Sequence, residues 1–125
     1  MISETILRLE RAALERWGKG DPDGFLEISA PDVTYFDPFL EHALVGLDAL
    51  RGYYALIRGK VFVERFDILE PQVQVVGNVA VLAYRFDSWG GGGSAYRWNT
   101  TEVYREGDDG WRIIHTHWAF TGGAR

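Results

Sequence analysis

The sequence predicts an α+β domain in which N-terminal helices pack on one face of a strongly curved antiparallel sheet. Three observations predict it. Apolar residues recur at helical spacing from Ser3 to Trp17 and again from Leu47 to Arg58. Beyond Gly59 the pattern becomes β-prone runs separated by turn residues, at Pro71, Gly77-Asn78, Gly90 to Gly93 and Gly107 to Gly110. Helices first and strands second is the order of an α+β chain, whereas α/β chains alternate. No repeat or linker interrupts the 125 residues, so one domain is expected over 1–125.

Each element has a local reason. Ile6, Leu7, Leu9, Ala13, Leu14 and Trp17 form the apolar stripe of the first helix, with Ser3 as its cap, Glu4 in its first turn, and Gly18 and Gly20 ending it. Asp21-Pro22 reads as an N-cap followed by proline at the first helical position, opening a short helix that buries Phe25, Leu26 and Ile28 and closes at Pro31. Val33 to Asp37 is a short strand stopped by Pro38, and 38–46 follow as a loop. Leu47, Leu50, Tyr54 and Ile57 share a face of the third helix. Gly77-Asn78 and Glu106 to Gly110 are hairpin turns between adjacent antiparallel strands. In the last strand, a side-chain period of 2 places His115 and His117 on the face of Trp111 and Ile113, and Ile114, Thr116, Trp118 and Phe120 on the other. The same alternation groups Trp98, Thr100, Glu102 and Tyr104.

Composition excludes several functions. The formal net charge is −5 and the 13 Lys and Arg residues are scattered, so there is no basic footprint for nucleic acid. Without cysteine there is no disulfide, thiolate zinc site or cysteine nucleophile. No apolar run approaches the ~18 residues of a membrane span, and Met1-Ile2-Ser3-Glu4 lacks the basic start of a secretory signal, so a cytoplasmic location is expected. Aromatic residues reach 14%, enough to line a core, a pocket or an interface.

Four stretches occur in a telling order: Gly20-Asp21-Pro22-Asp23-Gly24, Tyr35-Phe36-Asp37-Pro38, Gly46-Leu47-Asp48-Ala49-Leu50-Arg51, and Thr101-Glu102-Val103-Tyr104 leading to Trp111 through Trp118. Together they resemble the SnoaL-like branch of the nuclear transport factor 2-like superfamily over nearly the whole chain. The resemblance implies a cone whose bent sheet wraps the helices around an open, aromatic-lined cavity, and a homodimer through the convex face of the sheet. The apolar set Ile114, Thr116, Trp118 and Phe120 would suit that interface. Relatives in the superfamily include isomerases, cyclases, dehydratases, dioxygenase subunits, transport adaptors and a kinase association domain, so the site has to decide the function.

Candidate chemistry centres on Asp37, His115 and His117. Ketosteroid isomerases of the superfamily carry a general-base aspartate at the strand-end position that Asp37 occupies, and an aspartate lodged against Tyr35 and Phe39 is suited to proton transfer beside a carbonyl. The isomerase oxyanion hole has no counterpart here, because Ala13 stands where its tyrosine would be and its second acid falls near Thr101. Aspartate at a turn is also simply a loop cap. His115 and His117 suit an acid–base pair or a hydrogen-bonded wall. As two metal ligands they would need a third from Asp37, His42 or Glu102, and no metal or other cofactor is expected.

The expected ligand-binding residues are Tyr35, Phe39, Tyr54, Trp98 and Glu102, around a small, largely apolar molecule. Glu102 aligns with a pocket arginine of the kinase association domain, and its charge would favour neutral or cationic ligands. Trp17 is expected in the core, Trp89 is a further candidate for the wall, and neighbours Tyr53 and Tyr54 are not expected both to point inward. Gly90 to Ser94 reads as a flexible connection near the cavity mouth. Two functions stay open: a cofactor-independent acid–base enzyme of the isomerase, cyclase or dehydratase type, and a non-catalytic ligand-binding or assembly module.

Overall fold

The N-terminal apolar stripe forms α1, Ile2–Trp17, and buries Ile6, Glu10, Ala13 and Leu14 along one side. The computed structural model describes residues 1–121. The cap falls two residues earlier than expected, so Ser3 lies inside the first turn and Met1 stands at the cap. The next helix, α2, spans Asp23–Glu27 and buries Phe25 and Leu26. Pro22 takes the cap position, while Asp21 Oδ1 accepts the Asp23 N–H at 3.0 Å, the local turn that aspartate side chains favour. The third helix, α3, spans Leu47–Ile57 and buries Leu50 and Tyr54.

Six strands follow the order β2-β1-β6-β5-β4-β3 in one sheet. They are β1 (Ser29–Phe36), β2 (Leu44–Val45), β3 (Arg65–Val76), β4 (Val79–Trp89), β5 (Ala95–Gly107) and β6 (Gly110–Phe120). β3 through β6 form an antiparallel meander, but β1 runs parallel to β6, so the sheet is mixed and not purely antiparallel. Two further differences concern the sheet edge. Pro31 lies inside β1 instead of ending α2; it is exposed and falls where the β1–β6 register slips between Ser29 and Thr34, so no ladder bond is lost to the missing N–H. Leu44–Val45, expected as loop, pairs with Thr34 and Tyr35. Turns at Gly77-Asn78 and Asp108-Asp109 join the long strands as expected, and Gly77 adopts a φ of +57°. No helix among the described residues is long and apolar enough to cross a membrane.

The sheet curls over the helices, and its inward residues Ala80, Leu82, Tyr84, Phe86, Tyr104 and Ile113 join Ile6, Leu14, Phe25, Val33 and Leu50 in one core. The turn after α1 ties this layer to the segment after α3. Gly59 N–H bonds to Gly20 O at 2.9 Å and Val63 N–H to Gly18 O at 2.8 Å. Gly20 sits at a φ of +83°, and a Cβ there would lie 3.2 Å from Gly59 Cα. Replacing Gly20 with alanine is therefore expected to cost about 1–3 kcal/mol, read as a lower urea midpoint with an unchanged m-value.

Candidate functional site

The open end of the curled sheet encloses a cavity of about 410 Å³ with predominantly aromatic walls. The helices contribute Trp17, Phe25, Tyr53, Tyr54 and Ile57; the sheet contributes Tyr35, Phe86, Ser88, Tyr96, Trp98, Trp118 and Phe120. Val61 to Val63, Phe39 and Gly90 complete the rim, where Phe39 is 71% exposed. Asp37 is the one charged side chain among the described lining residues.

Asp37 is held from three sides. Its Oδ2 accepts the hydroxyls of Tyr53 at 2.6 Å and Tyr35 at 2.9 Å, and its Oδ1 accepts the Phe39 N–H at 2.8 Å. A carboxylate has about four lone-pair sites, so roughly one, on Oδ1, is left for a ligand. Burial, and then the hydrogen bond to Asp37, push the Tyr53 hydroxyl well above the usual tyrosine range; burial does the same to Tyr35 and Tyr54. These hydroxyls therefore stay protonated near neutral pH, and those of Tyr35 and Tyr53 are donors to the aspartate.

Tyr53 and Tyr54 both face the cavity, contrary to expectation, with ring centroids 6.1 Å apart. Neighbours on a helix diverge by about 100°, and the cavity wraps far enough around α3 to receive both rings. Trp17 is likewise a wall residue, in edge contact with Tyr54 at 5.1 Å and Phe25 at 5.9 Å. Trp89 is not: the Arg65 guanidinium lies 3.9 Å from its ring centroid, and Trp89 does not line the cavity.

The histidines lie elsewhere. β6 pairs with β5 through Tyr104↔Ile113 and then Val103↔His115, so Ile114 is an extra residue in the strand, a β-bulge. One extra residue reverses the alternation beyond it. Trp111 and Ile113 point into the core, as do Thr116 and Trp118, whereas His115 and His117 emerge on the outer face. There His115 Nδ1 is 2.7 Å from Thr34 Oγ1, and both imidazoles contact the Phe36 ring, at 6.0 and 5.3 Å. Partial burial, and then neighbouring His117, hold the His115 pKa below the ordinary histidine value. The structure thus does not bring His115 or His117 to Asp37, and the expected outward set of Thr116, Trp118 and Phe120 faces inward instead. His42 is exposed on its loop.

Glu102 shares the inward face of β5 with Trp98, but sits below the cavity and not in its wall. It is fully buried, as is Glu10 of α1. Glu10 accepts the hydroxyls of Tyr84 at 2.5 Å and Tyr104 at 2.6 Å. Neither Glu102 oxygen has a well-formed hydrogen bond, although Glu10 and Thr116 adjoin it. Burial, reinforced by the neighbouring Glu10 carboxyl, pushes the Glu102 pKa well above the usual glutamate range and so favours its neutral form. Sequence reasoning missed Glu10, yet the signal was present: it interrupts the apolar stripe between Ile6 and Leu14. Ser88 was missed too, and is legible in the alternation Tyr84, Phe86, Ser88.

Comparison with known proteins gives a consistent set of likenesses. The family model of the SnoaL-like domain matches residues 11–116. A candidate ketosteroid isomerase from Parabacteroides distasonis is 41% identical, and its crystal structure superposes with a TM-score of 0.88 over 98% of this chain and 89% of that one. A candidate dehydratase of the NTF2-like family from Streptomyces avermitilis shares the fold, with a TM-score of 0.78 at 22% identity and 96% of each chain covered. The alpha chain of calcium/calmodulin-dependent protein kinase type II from Drosophila melanogaster is 26% identical over 121 residues, 91% of this chain. The match spans 23% of the kinase's length.

Proposed function

The chain belongs to the SnoaL-like domain family, and on that premise we propose that its cavity binds a small, largely apolar molecule on which Asp37 moves a proton. The chemistry is cofactor-independent acid–base catalysis of the isomerase, cyclase or dehydratase type. One observation carries this reading: a single carboxylate, oriented by two tyrosine hydroxyls and a backbone N–H, stands in a predominantly aromatic cavity. Aromatic walls bind flat apolar ligands and exclude water around the carboxylate. The fixed Oδ1 presents its remaining lone pair in one direction, which suits removal of a proton from a carbon beside a carbonyl. The likeness to a candidate ketosteroid isomerase at 41% identity points the same way.

His115 and His117 have no part in this proton transfer. They belong to the outer face of the sheet with half-buried Phe36, Val81 and Val103, and that face is the proposed contact of a homodimer.

The test is hydrogen–deuterium exchange at the α-carbon of 2-tetralone, a flat cyclic ketone, followed by NMR in D₂O. The wild-type protein is expected to accelerate exchange, and Asp37→Asn to lose at least about 100-fold of that acceleration. An equal rate in the variant would remove Asp37 from the chemistry and leave a binding module.

A further inference from the structure

We propose that Ser88 is a second polar contact of this cavity, donating its hydroxyl proton to an acceptor oxygen at the end of the ligand remote from Asp37. The inference rests on the cavity reading above and names its ligand more closely: a flat, uncharged molecule with a carbonyl or similar acceptor at one end.

Ser88 follows Tyr84 and Phe86 on the inward face of β4 and lines the cavity at 6% exposure. Its Oγ accepts the Trp98 indole N–H at 3.4 Å. A serine hydroxyl is also a donor, and among the described residues nothing accepts the proton of Ser88. A buried donor without an acceptor is costly, and Ser88 lines the cavity, so an acceptor belongs there.

The position relative to Asp37 sets the ligand's shape. β1 and β4 are separated by β6 and β5, three inter-strand spacings or about 14 Å of sheet before curvature. Between them lie Trp118 and Trp98, with ring centroids 5.7 Å apart. A molecule touching both polar groups passes across these rings, which favour a flat one. Its charge follows as well: with no cationic side chain among the described lining residues and one carboxylate present, an anion would be repelled.

The experiment compares 2-acetylnaphthalene with 2-ethylnaphthalene, which lacks the carbonyl, by quenching of intrinsic tryptophan fluorescence. In the wild type the ketone is expected to bind about five-fold tighter than the hydrocarbon, the effect of one neutral hydrogen bond. Ser88→Ala should abolish the preference while leaving hydrocarbon affinity unchanged, and Ser88→Thr should restore it. A ketone preference that survives in Ser88→Ala, or is absent from the wild type, overturns the inference alone. Quenching by neither probe overturns it together with the cavity reading.

Discussion

Replacing Glu102 with glutamine is expected to raise thermal stability, and to raise it far more at pH 8 than at pH 5. The reason is linkage. Glu102 is buried beside Glu10, so its native pKa lies well above the ordinary glutamate value that it regains on unfolding. Below that ordinary value, about 4.3, both states hold the proton and pH has no effect through this group. Above it the unfolded chain releases the proton and the native state does not. Stability then falls by about 1.4 kcal/mol per pH unit, until pH passes the raised native value. Glutamine keeps the shape, has no proton to lose, and removes that slope. Between pH 5 and pH 8 the variant's advantage should grow for as long as pH stays below that raised native value. Melting curves of both proteins across this range provide the check; parallel profiles would mean that Glu102 ionises freely in the folded state.

The second large effect separates the two faces of β6. Trp118→Ala is expected to cost about 3 kcal/mol and to weaken naphthalene binding sharply, whereas His117→Ala stays within about 0.5 kcal/mol and leaves binding unchanged. Trp118 lies 5.4 Å from Phe86, 5.7 Å from Trp98 and 6.3 Å from Tyr84 in edge-on contacts, so its loss opens the floor of the cavity. His117, one residue away, is exposed and touches Phe36. Urea unfolding and fluorescence titration of each variant measure the contrast. A destabilised His117→Ala with unaffected Trp118→Ala would put the strand in the opposite register.

Much of the fold was legible because its signals are local. Each helix writes its buried stripe at three- and four-residue spacing, and each hairpin writes its turn residues between β-prone runs. The grouping of Trp98 with Glu102 on one face of β5 followed from alternation alone. What failed was whatever depended on a neighbour. Pro31 reads as a terminator, but a slipped parallel register at the sheet edge makes room for it. Tyr53 and Tyr54 read as mutually exclusive, but a wide cavity accepts both.

The two histidines that stand out in the last strand mark the limit most clearly. The sequence by itself determined that they share a face with each other, that the strand's two faces differ, and which superfamily the chain resembles. Only the tertiary structure decided which face looks inward. Pairing with β5 absorbs Ile114 as an extra residue, and a bulge of one residue exchanges the faces beyond it without leaving a mark in the local pattern. Side-chain alternation is a property of one strand, whereas register is a property of two, and the second settles where the chemistry lies.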